Sequence, residues 1–240
     1  MQSAQFTPQN FVKFLFSRNC IKIANSPEEM FLLKSGRKSP LFINLGDLNE
    51  GGAMDELANA YADAIHSLIS SGKMQEFDFL YGPAYKGISL GALAAAALFR
   101  RHSINVKFIY DRKEPKLHGD KNEKMIVGAD SLDKISKVLI IDDVISSGKS
   151  KFEAVEKLKR LSSFQLIGVM VSIDRQESTG DANTAGPSAS EQIKETLHCP
   201  LYSIAKMQDI LPLLSPEQQE LTKTYFAKWG SGEAKEWAKL

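Results

Sequence analysis

Asp142 and Asp143 stand side by side at the end of a short apolar run, Val138 to Ile141, and Val144-Ile145-Ser146-Ser147-Gly148-Lys149-Ser150 follows them. Adjacent side chains on an extended backbone point to opposite sides, and a strand buried on both faces does not end in two charges without partners for them. Cations or hydroxyls would serve. Ser146, Ser147 and Gly148 are small enough for a tight loop whose backbone N–H groups converge, and Phe152, Val155, Leu158 and Leu161 then recur at helical spacing. A strand, a small-residue loop and a helix N-terminus make an anion site, most often for phosphate. Gly148-Lys149-Ser150 has the ending of a nucleotide-triphosphatase P-loop, but the first glycine of that motif would fall at position 143, which is Asp, so the motif is absent.

Three further stretches carry groups suited to the same chemistry. Phe77 to Tyr81 reads as a strand that runs into Gly82-Pro83-Ala84-Tyr85-Lys86-Gly87, followed by the alanine-rich helix Ile88 to Arg101. This is a second strand, small-residue loop and helix, with Tyr85 and Lys86 beside it. Met30 to Leu33, the cationic turn Lys34-Ser35-Gly36-Arg37-Lys38-Ser39-Pro40 and Leu41-Phe42-Ile43-Asn44 form a hairpin signal. Asp111 to Asp120 holds Arg112, Lys113, Lys116, His118 and Gly119 with Leu117 as its one large apolar residue, and Lys121 to Lys124 is equally polar. Such a segment inside a compact domain is a disordered excursion or a lid.

The elements that must position these groups alternate. Thr7-Pro8 caps a first helix with Phe11, Phe14 and Leu15 on one face. Met54, Leu57, Ala58, Tyr61, Ile65, Leu68 and Ile69 predict a second helix, Val106 to Tyr110 a strand, and Leu166 to Ile173 another that stops at Asp174-Arg175-Gln176-Glu177. Ser178 to Ser190, small and polar with Gly180, Gly186 and Pro187, reads as a mobile surface loop. A helix over Gln192 to His198, a strand over Leu201 to Ala205 and a helix over Met207 to Leu214 follow. Ser215-Pro216-Glu217-Gln218 then caps a helix through Phe226. The pattern predicts an α/β fold, a mostly parallel sheet flanked by helices, with ligands at the strands' C-terminal ends.

With 240 residues, 43% hydrophobic and 25% charged, the chain can bury one substantial core. A net charge of +1 offers no bulk attraction to nucleic acid or membrane. Gly87 to Phe99 is short for a membrane span and ends in Arg100-Arg101, and no signal peptide is visible, so a cytoplasmic location is expected. Cys20 and Cys199 are isolated and read as free buried thiols.

The Asp-Asp stretch resembles the phosphoribosyl pyrophosphate signature of type I phosphoribosyltransferases. The order of Leu33 to Pro40, Gly82 to Gly87, Arg112-Lys113-Glu114 with Lys116 and His118-Gly119, the Asp-Asp loop and Asp174-Arg175-Gln176-Glu177 is similar to that of orotate phosphoribosyltransferases, over roughly residues 6 to 215. The resemblance implies a single domain over 1–240: a small hood built from the N-terminal segment (about 1–49), a core (about 50–205) and C-terminal helices (206–240). It implies that Asp142 and Asp143 bind the ribose and, directly or through water, its Mg2+. Val144, Ile145, Ser146, Ser147, Gly148, Lys149 and Ser150 would hold the 5-phosphate. Tyr85, Lys86, Arg112, Lys113, Lys116 and His118 would surround the pyrophosphate, and Lys34, also a phosphoribosyl pyrophosphate-binding residue, would reach the reacting region. Phe42 and Ile43 would cover orotate, with Ser146 and Arg175 bonding it. Catalysis would rest on Lys34, Lys113, Asp142 and Asp143. The family's lid works across a homodimer interface, so Lys113, Lys116 and His118 would serve the neighbouring subunit, and related transferases predict a non-proline cis peptide at Ala84-Tyr85. Departures are Lys149, where the family more often has a small residue or Thr, the length of Ser178 to Ser190, and a C-terminal extension.

Two rivals share parts of this pattern. A purine-type phosphoribosyltransferase would have the Asp-Asp loop without needing the Lys34 to Ser39 hairpin. A non-catalytic regulator could use the fold to sense phosphoribosyl pyrophosphate and bind nucleic acid, although near-zero net charge and no basic-aromatic stripe count against it.

Overall fold

A computed structural model of the protein describes residues 7–112, 125–145 and 149–239, with only the backbone of 149 and 150. The chain opens with α1 (Pro8–Ser17), capped by the Thr7 hydroxyl, which accepts from Asn10 N. Four short strands follow: β1 (Ile21–Ile23), β2 (Phe31–Leu32), β3 (Lys38–Ser39) and β4 (Leu41–Ile43). The expected hairpin is present but its arms differ, because β2 pairs with β3 while β4 pairs antiparallel with β1. Pro40 explains the switch, since it has no N–H to continue the β2–β3 ladder and instead accepts from Ala24 N through its carbonyl, at 2.8 Å. Together these strands form the hood.

The core begins with α2 (Gly51–Ser70), β5 (Phe79–Gly82), α3 (Lys86–His102), β6 (Lys107–Asp111), β7 (Ile126–Val127), β8 (Lys137–Ile141), α4 (Lys149–Lys159) and β9 (Gln165–Asp174). It continues through β10 (Ser178–Gly180), β11 (Ala185–Ser188), α5 (Ala189–Leu197) and β12 (Leu201–Lys206). One six-stranded sheet has the order β12-β9-β8-β5-β6-β7, parallel throughout except for the antiparallel edge strand β7. Alternation along the strands splits the core in two: Leu80, Leu139, Ile141 and Met170 pack with α2 and α3, whereas Phe79, Tyr81, Val138, Ile140 and Val171 pack with α4 and α5. Both faces are covered, which is why Val138 to Ile141 read as one unbroken apolar run.

Ser178 to Ser190 is not the mobile surface loop that its composition suggests. Residues 178–188 form the β10–β11 hairpin, and Ser188 starts α5 through a capping box with Glu191. The chain ends with α6 (Met207–Ile210), α7 (Pro216–Trp229) and α8 (Gly232–Ala238), the last packing Ala234 and Trp237 against the core. No helix among the described residues is long and apolar enough to cross a membrane.

Candidate active site

Strands β5, β6, β8 and β9 all end at one edge of the sheet, and three of them stop at an aspartate: Asp111, Asp142 and Asp174. The β8 end is held from behind. The Asp142 carbonyl accepts from Tyr61 Oη at 2.7 Å, and the Asp143 carbonyl accepts from Ser172 N at 2.7 Å and Ser172 Oγ at 2.6 Å. Burial, then the charges of Asp143 and Asp142, push the Tyr61 hydroxyl well above its usual range, so it stays a neutral donor. With their backbones fixed, the two carboxylates diverge as adjacent residues must. Asp143 Oδ2 meets Lys86 Nζ at 2.6 Å, and Asp142 meets Lys151.

Lys86 is the first residue of α3, so its contact with Asp143 joins the β5 loop to the β8 loop. The β5 loop closes tightly on itself: a Cβ on Gly82 would lie 2.0 Å from the Gly87 carbonyl oxygen, so no other residue fits there. Its Ala84-Tyr85 peptide is cis, as the resemblance predicts. Ala84 N donates to Asp111 Oδ1 at 2.7 Å, while the other oxygen of Asp111 takes Lys157. Tyr85 is 67% exposed, and Lys86 keeps over half of its side chain open.

The remaining expected residues fall as follows. Lys34 is exposed in the β2–β3 turn, which closes through Leu33 N to Arg37 O with Gly36 in the left-handed region. Phe42 points outward, 39% exposed against Phe31, while Ile43 points into the core, so only Phe42 of that pair presents a side-chain face to a ligand. Arg112 follows the β6 end, its N–H donating to Met125 O. Val144 bridges to Ile173, Ile145 is buried, and Lys149 and Ser150 begin α4. Arg175 donates from Nη2 to Glu177 at 2.8 Å, and its buried Nε has no partner among the described residues. Lys113, Lys116, His118, Ser146, Ser147 and Gly148 lie outside the described residues.

Sequence reasoning missed Asp111, Lys151, Lys157 and the supports Tyr61 and Ser172. One signal for Lys151 was present: with Ala154, Val155 and Leu158 it keeps the i, i+3, i+4, i+7 spacing of the buried face, so a lysine heads an apolar stripe. As metal donors, Asp142 and Asp143 are two carboxylates, and no group of three or more His, Cys, Asp or Glu converges among the described residues. That set suits a hard cation arriving with a substrate's oxygens, not a resident all-protein site.

Residues 53–192 match the family model described as a phosphoribosyl transferase domain, which defines the class that the sheet edge and its two loops suggest. An orotate phosphoribosyltransferase of Bifidobacterium adolescentis is 36% identical over 234 residues, covering 92% of this chain and 96% of the relative. One from Acinetobacter baylyi is 38% identical over 231 residues, covering 95% and 98%. The crystal structure of the Francisella tularensis orotate phosphoribosyltransferase superposes with a TM-score of 0.75 at 33% identity, covering 92% of this chain and all of that one. The chain belongs to the orotate phosphoribosyltransferase family.

Proposed function

We propose that the protein transfers ribose 5-phosphate from phosphoribosyl pyrophosphate to N1 of orotate, giving orotidine 5-phosphate and pyrophosphate in de novo UMP synthesis. The observation that carries this reading is the Lys86–Asp143 contact, which brings the acidic strand end and the cis-peptide loop together at one sheet edge. The C1–O bond breaks toward an oxocarbenium-like state, so the protein must stabilise charge growing on the leaving pyrophosphate and hold the base close. Asp142 and Asp143 would take the ribose hydroxyls, releasing Lys86 toward the pyrophosphate with Tyr85 and Arg112. Val144 to Ser150 would hold the 5-phosphate at the start of α4. On the base side would stand Phe42 and Arg175, whose buried Nε has no partner among the described residues, with Lys34 reaching the reacting region from the phosphoribosyl pyrophosphate side. Mg2+ held by the substrate's oxygens and these carboxylates, directly or through water, would neutralise phosphate charge.

We further propose a homodimer whose lid residues Lys113, Lys116 and His118 complete the neighbouring subunit's site. The outward face of α3, with Tyr85 at its head and Ala92, Ala96 and Phe99 exposed along it, supports an interface there. Two free, buried cysteines support the expected cytoplasmic location.

An absorbance assay of orotate with phosphoribosyl pyrophosphate and Mg2+ tests the reaction. Orotate should be consumed, and adenine, guanine and hypoxanthine should not. Turnover of a purine in place of orotate would overturn the assignment, and no turnover with any base would favour the regulator.

A further inference from the structure

Arg37 is 4% exposed, yet no carboxylate among the described residues receives its guanidinium. Nε donates to Asp181 O at 2.7 Å, and Nη1 to Ser178 O at 2.6 Å and Ser178 Oγ at 3.4 Å. Nη2 donates to Thr179 O at 2.8 Å and Thr184 O at 3.0 Å. All the N–H groups of the fork are therefore spent on one hairpin, β10–β11. The guanidinium also stacks on Trp229 in α7, its carbon 4.2 Å from the ring centroid. The hairpin is built around this guest. At Gly180, in the left-handed region, a Cβ would come within 3.1 Å of Nη2 and 2.1 Å of Thr184 O.

What the buckle joins gives it a role beyond packing. Arg37 lies three positions after Lys34, in the turn of the hood. Ser178 lies three positions after Arg175, in the segment leaving β9. That segment is tied down on its other side by the C-terminal extension: Ser231 N donates to Gln176 O at 2.7 Å, Glu177 bridges to Gly230, and Ser178 Oγ donates to Trp229 O at 2.9 Å. Lys34 and Arg175 are 141 positions apart in the sequence, and Arg37 links the turn of the one to the segment of the other.

We propose that Arg37 is a positioning residue for the base: it holds the Lys34 turn and the Arg175 segment in register, so that its loss weakens orotate capture selectively. This rests on the orotate reading above. Phosphoribosyl pyrophosphate would be held chiefly by the β5 and β8 loops, none of whose described residues is a hydrogen-bond partner of Arg37, and would share only Lys34 with the hood turn.

The test is steady-state kinetics in both substrates, well below the melting temperature, for wild type, Arg37→Lys and Arg37→Gln. Orotate KM should rise about tenfold or more in Arg37→Gln and less in Arg37→Lys, which keeps the charge but not the planar fork. The KM for phosphoribosyl pyrophosphate should stay within about threefold. A merely structural arginine would lower the melting temperature and leave the KM ratio unchanged, and that outcome overturns the proposal. If Arg37→Gln fails to fold, hydrogen exchange on the wild-type enzyme decides: orotidine 5-phosphate should slow exchange at 178–184 as well as at 33–39, and unchanged exchange at 178–184 overturns it. Absence of orotate turnover in wild type would instead sink the orotate reading itself.

Discussion

The molecule buries charge in two unlike ways. At the active edge of the sheet three aspartates each have a lysine, Asp142 with Lys151, Asp143 with Lys86 and Asp111 with Lys157, while Asp174 accepts from Gln176 N. Under the hood a single arginine is enclosed by backbone carbonyls, one hydroxyl and an aromatic face, with no counter-ion among its hydrogen-bond partners. The ion pairs are exchangeable, because a ribose hydroxyl or a metal ion can replace an ammonium on a carboxylate while the lysine moves to a phosphate. The carbonyl cage is not. Its acceptors are fixed by the hairpin fold, and vacating it would leave several buried carbonyls unpaired at once. On the proposed reading, groups that change partner during turnover would thus sit beside groups that hold position throughout.

The largest test of this contrast is Asp142→Asn with Asp143→Asn, which should lower orotate turnover by about a thousandfold or more. The stability effects of the two single changes should separate. From the sequence alone, unpartnered carboxylates would make their removal neutral or stabilising. Lys151 reverses that expectation for Asp142: its side chain is 4% exposed, so Asp142→Asn strands a buried ammonium and should cost about 3 kcal/mol. Asp143→Asn should cost under about 1 kcal/mol, because Lys86 can turn to water. Adding Lys151→Met to Asp142→Asn should recover most of the loss. Denaturant melts measure all three, and equal costs for the two single variants would show that the pairs do not differ in burial.

A smaller and more specific signal concerns the proposed dimer. One variant is dead in the lid, Lys113→Ala with Lys116→Ala, and another is dead in the core, Asp142→Asn with Asp143→Asn. Random subunit exchange makes half the dimers mixed, each with one working site of two, so activity should return to roughly a quarter of wild type. No recovery, with exchange shown independently, would place the lid in cis.

Much of this was readable from residues, and the rest was not for identifiable reasons. The strand Val138–Ile141, the Asp-Asp end and the Gly82–Gly87 loop announce themselves because burial on both faces and close backbone approach leave few residue types possible. Lys151 hid because lysine in a helix is ordinarily solvated, and only its place in the apolar stripe marks it. The β10–β11 hairpin hid more deeply. Its residues have low strand propensity, and its stability comes from Arg37, some 140 positions away, together with Trp229 in the C-terminal extension. No local reading of Ser178 to Ser190 contains that information. The β4 pairing was lost for a similar reason, as β1 is three residues long.

The smallest effect belongs to the tip of that hairpin. Asp181 Oδ1 accepts from Asn183 N and Thr184 N, both at 2.8 Å, and so shapes the turn that presents the carbonyls of Asp181 and Thr184 to Arg37. These amide bonds, aided by the Arg37 charge, hold the Asp181 carboxyl below its ordinary value. A depressed folded value means the carboxylate stabilises the turn fully above about pH 3.9, the unfolded value, and the contribution is lost as pH falls through the lower folded one. The group is exposed, so global stability should barely move. Amide exchange should report it instead: Asp181→Ala should speed exchange at Asn183 and Thr184, while Asp181→Asn, which keeps an acceptor oxygen, should preserve the turn and remove its acid sensitivity. If the Asp181 side chain titrates by NMR at the ordinary aspartate value, the turn is not formed in solution. Two of the carbonyls around Arg37 would then be missing, and the cage would be as exchangeable as the ion pairs.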